Sequence, residues 1–383
     1  MSICRPLPCA DLGSAFCPCA LASAGQCVYC TRLRGEDRCA CDWAGVCVLL
    51  HRGGRGAPDA PGAGADGREH VQRSIDPPAV VRRGRLGTAA AARTLARGVR
   101  ELRVLATHSG RAQLARPGTF VLIRRASRPD RYDVPLTVAG VDGDTFRLIF
   151  KVAGPKTRSL AAAADGEGLV WRGPYYSGLI GLRRLLGDRG RPRAAVIVTR
   201  GLGQAVALPV LAHLAGRGTE TTVLLDPRGW GGDFARRELE AVGGGPAADV
   251  ACMERAGAAT LTAALRLRSA QPGAQRGAVL VVSCGSDLQH RWLVGLQPQL
   301  RAANGGAPVQ YVAVNNALVV CGEGVCGACI RRLPDGTRFR GCKADIPPEL
   351  LWPPQRGWGR RSAGALPASE ATAREIGERD RDC

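Results

Sequence analysis

Apolar positions change their period along the chain. Val99 to Thr107 alternates as a strand. Thr119-Phe120-Val121-Leu122-Ile123 predicts a second strand, entered through the turn Arg116-Pro117-Gly118. Thr145-Phe146-Arg147-Leu148-Ile149-Phe150-Lys151-Val152 alternates well enough for a third. Short strands separated by turn signals predict a small antiparallel barrel. From about Arg193 the apolar runs become continuous. Ala194-Ala195-Val196-Ile197-Val198 reads as a strand buried on both faces, with Gly201-Leu202-Gly203 following at its end. Gln204 to Ala215 predicts a helix, in which Pro209 is tolerable only near the first turn or as a kink. Thr222-Val223-Leu224-Leu225 is the next strand, ending at Asp226, and Ala278-Val279-Leu280-Val281-Val282 is another, ending at Ser283-Cys284-Gly285. Strand–helix–strand alternation predicts a parallel sheet of nucleotide-binding type. The expected fold class is therefore α/β plus a β-barrel.

This pattern divides the chain of 383 residues into segments. Residues 1–50 form a Cys-rich extension. An Arg/Gly/Ala/Pro-rich stretch over 51–76 reads as a flexible linker. The barrel is expected over 77–190, the parallel sheet over 191–312 and a Cys-bearing loop over 313–347. Residues 348–383, rich in charge, Pro and Gly, are expected to be a disordered tail. No internal repeat is evident.

Charge changes this picture little. Lys and Arg number 53 against 33 Asp and Glu, a formal net charge of +20. Only Lys151, Lys156 and Lys343 are lysines, and the arginines are scattered rather than clustered. Aromatic residues make up 4% of the chain, too few to interleave a basic patch. Nucleic acid is therefore a disfavoured partner, and one that would show as steeply salt-dependent retention on DNA. No apolar run reaches the roughly 18 residues of a membrane span. Met1-Ser2-Ile3-Cys4-Arg5-Pro6 lacks the start of a signal peptide, so a cytoplasmic location is expected.

In a reducing compartment sixteen cysteines point to metal ligation rather than disulfides. Four of them give the strongest signal. Cys321, Cys326 and Cys329 follow the spacing C-x4-C-x2-C, and Cys342 follows after twelve intervening residues. This is the plant-type pattern for a [2Fe–2S] cluster. Gly322, Gly324, Gly327 and Ala328 let the backbone fold tightly around four thiolates and aim N–H groups at sulfur. A structural zinc site, the alternative, more often pairs two C-x2-C knuckles.

A second group comprises Cys17, Cys19, Cys27, Cys30, Cys39, Cys41 and Cys47, with Cys4 and Cys9 ahead of them. So short a segment cannot bury a stabilising core, so metal is the expected staple. Zinc and a further iron–sulfur centre both remain open for it.

From Pro77 to Pro347 the chain resembles the electron-transfer subunit of dihydroorotate dehydrogenase. It also resembles sulfide dehydrogenase and ferredoxin:NADP oxidoreductase subunits of the ferredoxin-reductase superfamily. The order of barrel, parallel sheet and C-x4-C-x2-C loop carries the resemblance. It implies an FAD-binding barrel, an NAD(P)-binding domain and a [2Fe–2S] loop.

The family's flavin-contact strand, Arg-Pro-x-Ser, is matched by Val134-Pro135-Leu136-Thr137, without the arginine. Its Gly-x-Gly-Thr turn is matched by Gly154-Pro155-Lys156-Thr157, and its Gly-Pro-Leu-Gly segment begins at Gly173-Pro174. Lys156 or Arg158 could replace the missing arginine at a pyrophosphate. The nucleotide loop, Gly-Gly-Gly-Ile-Gly in the family, is Thr199-Arg200-Gly201-Leu202-Gly203. Asp226 could accept from a ribose hydroxyl. The late Cys-Gly-Pro motif, near the nicotinamide, is Cys284-Gly285-Ser286.

By resemblance the chain is an electron-transfer oxidoreductase subunit. It would pass electrons between NAD(P)H and a catalytic dehydrogenase subunit or ferredoxin, through FAD and [2Fe–2S]. A metal-bearing redox sensor or scaffold that has lost nucleotide turnover is the alternative, favoured by Val134, Thr199 and Arg200.

Overall fold

The computed structural model describes residues 85–105, 111–128, 133–187, 192, 194–227, 231–243, 248–249, 257–269, 278–322, 324 and 328–353. The Cys-rich extension, the linker and the tail from 354 lie outside the described residues, as does Cys326.

Six strands close into an antiparallel barrel. They are β1 (Arg85–Ala96), β2 (Val99–Leu105), β3 (Phe120–Arg125), β4 (Val134–Asp142), β5 (Thr145–Lys151) and β6 (Gly168–Tyr175). Their order around the barrel is β1-β2-β5-β4-β3-β6, closed by pairing of β1 with β6. Alternation places one face inside. Leu102, Val104, Val121, Ile123, Val134, Leu136, Phe146, Leu148 and Trp171 fill the interior. Short helices α1 (Arg111–Leu114) and α2 (Pro155–Ala161) lie in the barrel's connections.

The chain leaves the barrel through β7 (Leu179–Ile180) and α3 (Leu182–Leu186). A second sheet then builds from β8 (Ala194–Arg200), β9 (Glu220–Asp226), β10 (Ala248–Asp249), β11 (Val279–Cys284) and β12 (Val309–Val314). Its order is β10-β9-β8-β11-β12-β7. The pairs among β8 to β12 are parallel, and β7 adds antiparallel at the edge. Helices α4 (Gly203–Gly216), α5 (Arg236–Gly243), α6 (Gly257–Ser269), α7 (Asp287–Gly295) and α8 (Gln297–Ala303) connect these strands.

Two apolar layers cover this sheet. One joins Leu261, Leu265, Trp292, Leu293 and Leu300 to the inward residues of β8, β11 and β12. The other joins Ala205, Leu208, Leu211 and Leu214 of α4 to Ile197, Leu225 and Val282 of the sheet, and also to Val99, Ala139 and Ile149 of the barrel. Helix α4 is therefore wedged between barrel and sheet and buries most of its circumference. Pro209 sits at its seventh position, in the helix interior rather than the first turn. It withholds one N–H from the ladder there, and packing on both sides offsets the loss.

A final hairpin, β13 (Ile330–Arg332) with β14 (Arg338–Arg340), follows the cysteine loop. Pro348–Leu351, assigned to the tail on composition, instead form helix α9. Its Leu351, together with Trp352, packs with Ile180, Phe339 and Ile346.

Candidate functional site

The cysteine loop is seated on the barrel. Cys329 and Cys342 are buried, with Sγ atoms 3.2 Å apart, and pack with Phe120, Leu122, Tyr175 and Val319. Two thiolates on one tetrahedral metal at about 2.3 Å lie about 3.8 Å apart, so this pair is poised to share one metal after a small spread. The Cys342 thiol interacts with Cys321 as well as Cys329. The hydrogen bond shared with Cys342 holds the Cys329 thiol down at about 6, despite its burial. Hydrogen bonds to Cys321 and Cys329, together with burial, push the Cys342 thiol far up. Three of the four expected ligands thus converge. Among the described residues they do not close a metal-binding group by themselves, and Cys326 lies outside those residues.

Backbone packing explains the glycines. Gly322 and Gly324 have φ of 72° and 75°, in the left-handed region. The edge of Tyr175 leaves Gly322 no room for a side chain. Below the loop, Ser177 Oγ donates to Cys342 O at 2.9 Å, and Gly341 N donates to Cys329 O at 2.9 Å. Asn315 Nδ2 donates to Ser177 O and Gly341 O at 2.6 and 2.7 Å. Two cations missed by the sequence reading lie here. Arg340 and Lys343 are both buried, and their charge favours the thiolate form of Cys329 and Cys342 respectively. Each lies within two residues of a motif glycine or cysteine, but sequence alone cannot tell a buried cation from an exposed one. The loop's geometry fits a thiolate-bound cluster.

The flavin-motif residues fall on and around β4. Val134 and Leu136 point into the barrel core, while Pro135 and Thr137 face outward, half-buried. Leu136 can therefore offer a ligand only its backbone. Thr137 stands opposite Phe120 in the β3–β4 register, and Phe120 stacks on Tyr175 with centroids 5.2 Å apart. At the turn before α2, Thr157 Oγ1 accepts from Ala153 N at 2.9 Å and Gly154 N at 3.0 Å. Lys156 Nζ reaches Asp133 O at 3.3 Å, beside the Asp133–Arg172 ion pair. Gly173, with φ of 144°, and Pro174 lie in β6 and lead into Tyr175 and Tyr176. This face supplies outward hydroxyl and cationic groups of the kind a flavin diphosphate requires.

The nucleotide-motif residues gather at the carboxyl ends of β8, β9 and β11, where open α/β sheets bind ligands. Gly201 takes φ of 54°. A Cβ on Gly203 would lie 1.8 Å from Cys284 O, so only glycine lets α4 approach β11 this closely. Asp226 is fully buried and lies 3.4 Å from Arg200 Nε. Gln204, also buried, donates to Gly201 O and Gly232 O and accepts from Ala235 N. It clamps residues 232–235 to the start of α4, a role no sequence signal announced. Cys284 is buried, and desolvation pushes its thiol up to about 12. Gly285 packs directly on Gln289, whose Nε2 donates to Val198 O at 3.0 Å.

No protein-family description matches the chain. Over 247 residues it is 25% identical to the "Dihydroorotate dehydrogenase B (NAD(+)), electron transfer subunit homolog" of Thermotoga maritima, covering 60% of this chain and 78% of that one. The chain is thus similar in sequence to a homolog of a dihydroorotate dehydrogenase electron-transfer subunit. Among solved structures, an NADH-dependent reduced ferredoxin-NADP oxidoreductase aligns with TM-score 0.49 and 21% identity, over 70% of this chain and 90% of that one. Phthalate dioxygenase reductase aligns with TM-score 0.40 and 12% identity, over 68% and 95%. Among the described residues, no helix is long and apolar enough to cross a membrane.

Proposed function

We propose that this chain is an electron-transfer oxidoreductase subunit that passes electrons between NAD(P)H and a partner dehydrogenase or ferredoxin, using FAD and a [2Fe–2S] cluster. The supporting observation is the convergence of Cys321, Cys329 and Cys342 on the barrel wall that also carries Pro135 and Thr137. When bound, the flavin supplies hydride exchange with the nicotinamide and the cluster supplies one-electron transfer.

The protein's own part is position and electrostatics. Cys321, Cys326, Cys329 and Cys342 would hold the cluster, with Arg340 and Lys343 offsetting its negative charge. Pro135, Thr137, Gly154, Lys156, Thr157, Gly173 and Pro174 would line the flavin, with Leu136 contributing backbone. Gly201 and Gly203 would admit the nucleotide diphosphate, while Gly285 and the neutral Cys284 thiol would border the nicotinamide. Asp226, buried against Arg200, would shape this site from below rather than contact a ribose directly. The N-terminal cysteines would hold a separate metal, zinc or iron–sulfur.

The test is anaerobic purification, with iron, sulfide, zinc and flavin counted per chain, followed by titration with NADH and NADPH. About two irons, two sulfides and one FAD at the barrel and loop, bleached by either nucleotide, support the reading. Cluster iron without flavin or any nucleotide response overturns it and leaves the redox-sensor alternative, for which the Arg200–Asp226 pair in the nucleotide loop speaks.

A further inference from the structure

One hydrogen-bonded network is used by none of the roles above. It begins at the end of β11 and the first turn of α7, where Ser286 caps the helix. Ser283 Oγ lies 2.7 Å from His290 Nδ1 within the core. Asn316 Nδ2 lies 3.2 Å from His290 Nε2, 3.0 Å from Gly285 O and 3.1 Å from Asp287 Oδ1. The two ring nitrogens of His290 thus face Ser283 on one side and Asn316 on the other, and the two protons of Asn316 Nδ2 have Gly285 O and Asp287 Oδ1 as acceptors. Arg331 Nη2 donates to Asp287 Oδ2 at 2.7 Å. The Arg331 guanidinium lies 5.5 Å from the ring of Trp352, which is also 5.0 Å from His290.

The attachment points are informative. Gly285 belongs to the turn at the nucleotide site. Asn316 lies five residues before Cys321, and Arg331 lies two residues after Cys329. One short element, Gly285 to Asp287, is therefore tied to both flanks of the cysteine loop. Every link is a directional hydrogen bond or ion pair, so a displacement of the turn must be met by the loop or must break a bond.

We propose that Asn316 and the Asp287–Arg331 pair are positioning residues that couple the nucleotide turn to the cysteine loop. Nucleotide bound at Gly285 and the electron on the cluster then alter each other's free energy. This rests on the function proposed above. Coupling of this kind is reciprocal and typically amounts to about fivefold or more in affinity.

The experiment uses the full chain with its cofactors and a tetrahydronicotinamide dinucleotide, which cannot give up hydride. The cluster's midpoint potential is followed by spectroelectrochemistry with and without this analogue, and the analogue's binding is measured by calorimetry. In the unsubstituted protein a fivefold coupling appears as a shift of about 40 mV, at about 59 mV per tenfold for one electron. Asn316→Ala and Asp287→Asn still bind the analogue and still hold the cluster, but the shift collapses toward zero. Asn316 is exposed and Asp287→Asn preserves volume, so neither opens the core. An unchanged shift in both variants overturns the coupling, as does the absence of a shift in the unsubstituted protein despite measurable binding. Absence of any binding overturns the nucleotide reading itself and the coupling with it.

Discussion

Tyr175 lies against Gly322 so closely that a Cβ on the glycine would fall 2.5 Å from Tyr175 Cε1. The barrel thus dictates the backbone of the cysteine loop beside its first ligand. Gly322→Ala incurs about 1–2 kcal/mol for a left-handed backbone alone, with the clash in addition. The variant is expected to unfold at lower temperature and to retain less iron per chain. Adding Tyr175→Ala removes the clash but not the backbone cost, so a double-mutant cycle recovers part of the loss.

Lys343 is buried next to Cys342. A cation there favours the more negative, reduced state of a thiolate-bound cluster. Lys343→Gln is therefore expected to lower the midpoint potential, by about 59 mV for each 1.4 kcal/mol of lost stabilisation in a one-electron couple. Redox titration of the cluster absorbance measures it, and an unchanged or higher potential would count against the assignment.

His290 is held neutral. Burial drives its pKa down to about 4, against a favourable pull from Asp287 and with Arg331 opposing protonation. The unfolded chain takes up this proton at about pH 6.5, so the folded state loses stability as pH falls from about 6.5 to about 4. The full loss at this residue is about 3 kcal/mol. Denaturant melts across that window should show the slope, and His290→Gln should flatten it at the expense of some overall stability.

Glu101 is buried among Arg93, Arg103 and Arg147, and Arg147 continues to Glu238 on α5. Burial works to raise the Glu101 carboxyl, but the arginines hold it below its ordinary value. Glu101→Ala leaves Arg147, which is only 11% exposed, with Glu238 as its remaining carboxylate partner, and is expected to destabilise the protein by about 1–3 kcal/mol. Arg147→Met with Glu101→Leu should recover much of this in chemical denaturation, because well-packed apolar replacements often match a buried ion pair.

Much of the sheet is legible in the sequence for a physical reason. Strands β8 and β11 are covered on both faces, so their residues run nearly continuously apolar and announce themselves, and in β9 the buried run Val223–Leu225 does the same. β1 does not. Its stretch Gly87-Thr88-Ala89-Ala90-Ala91-Ala92 favours helix by local propensity, and only pairing with β2 and β6 makes it a strand. β6 and β12 went unread in the same way, because neither alternates cleanly. The cysteine spacing pointed to the loop, since thiolate chemistry fixes residue type and separation. The seat beneath it did not show, because Tyr175, Ser177, Asn315 and Lys343 are brought together from distant parts of the chain. Gln204 and the Asn316 network were illegible for the same reason: their partners are backbone carbonyls and neighbours chosen by topology.

Among the described residues, both margin strands of the second sheet are two residues long, β7 at one side and β10 at the other. At the first of these the chain, on its way out of the barrel, lays Leu179 and Ile180 antiparallel against β12. The barrel itself has no free margin. Each short margin strand covers only part of its neighbour: β10 pairs with Leu224 and Leu225 of β9, and β7 pairs with Ala313 and Val314 of β12. Among the described residues, a strand added to the second sheet would therefore meet, beyond the two margin strands themselves, outer N–H and C=O groups only on two short stretches, 220–223 and 309–312, rather than along one long continuous edge.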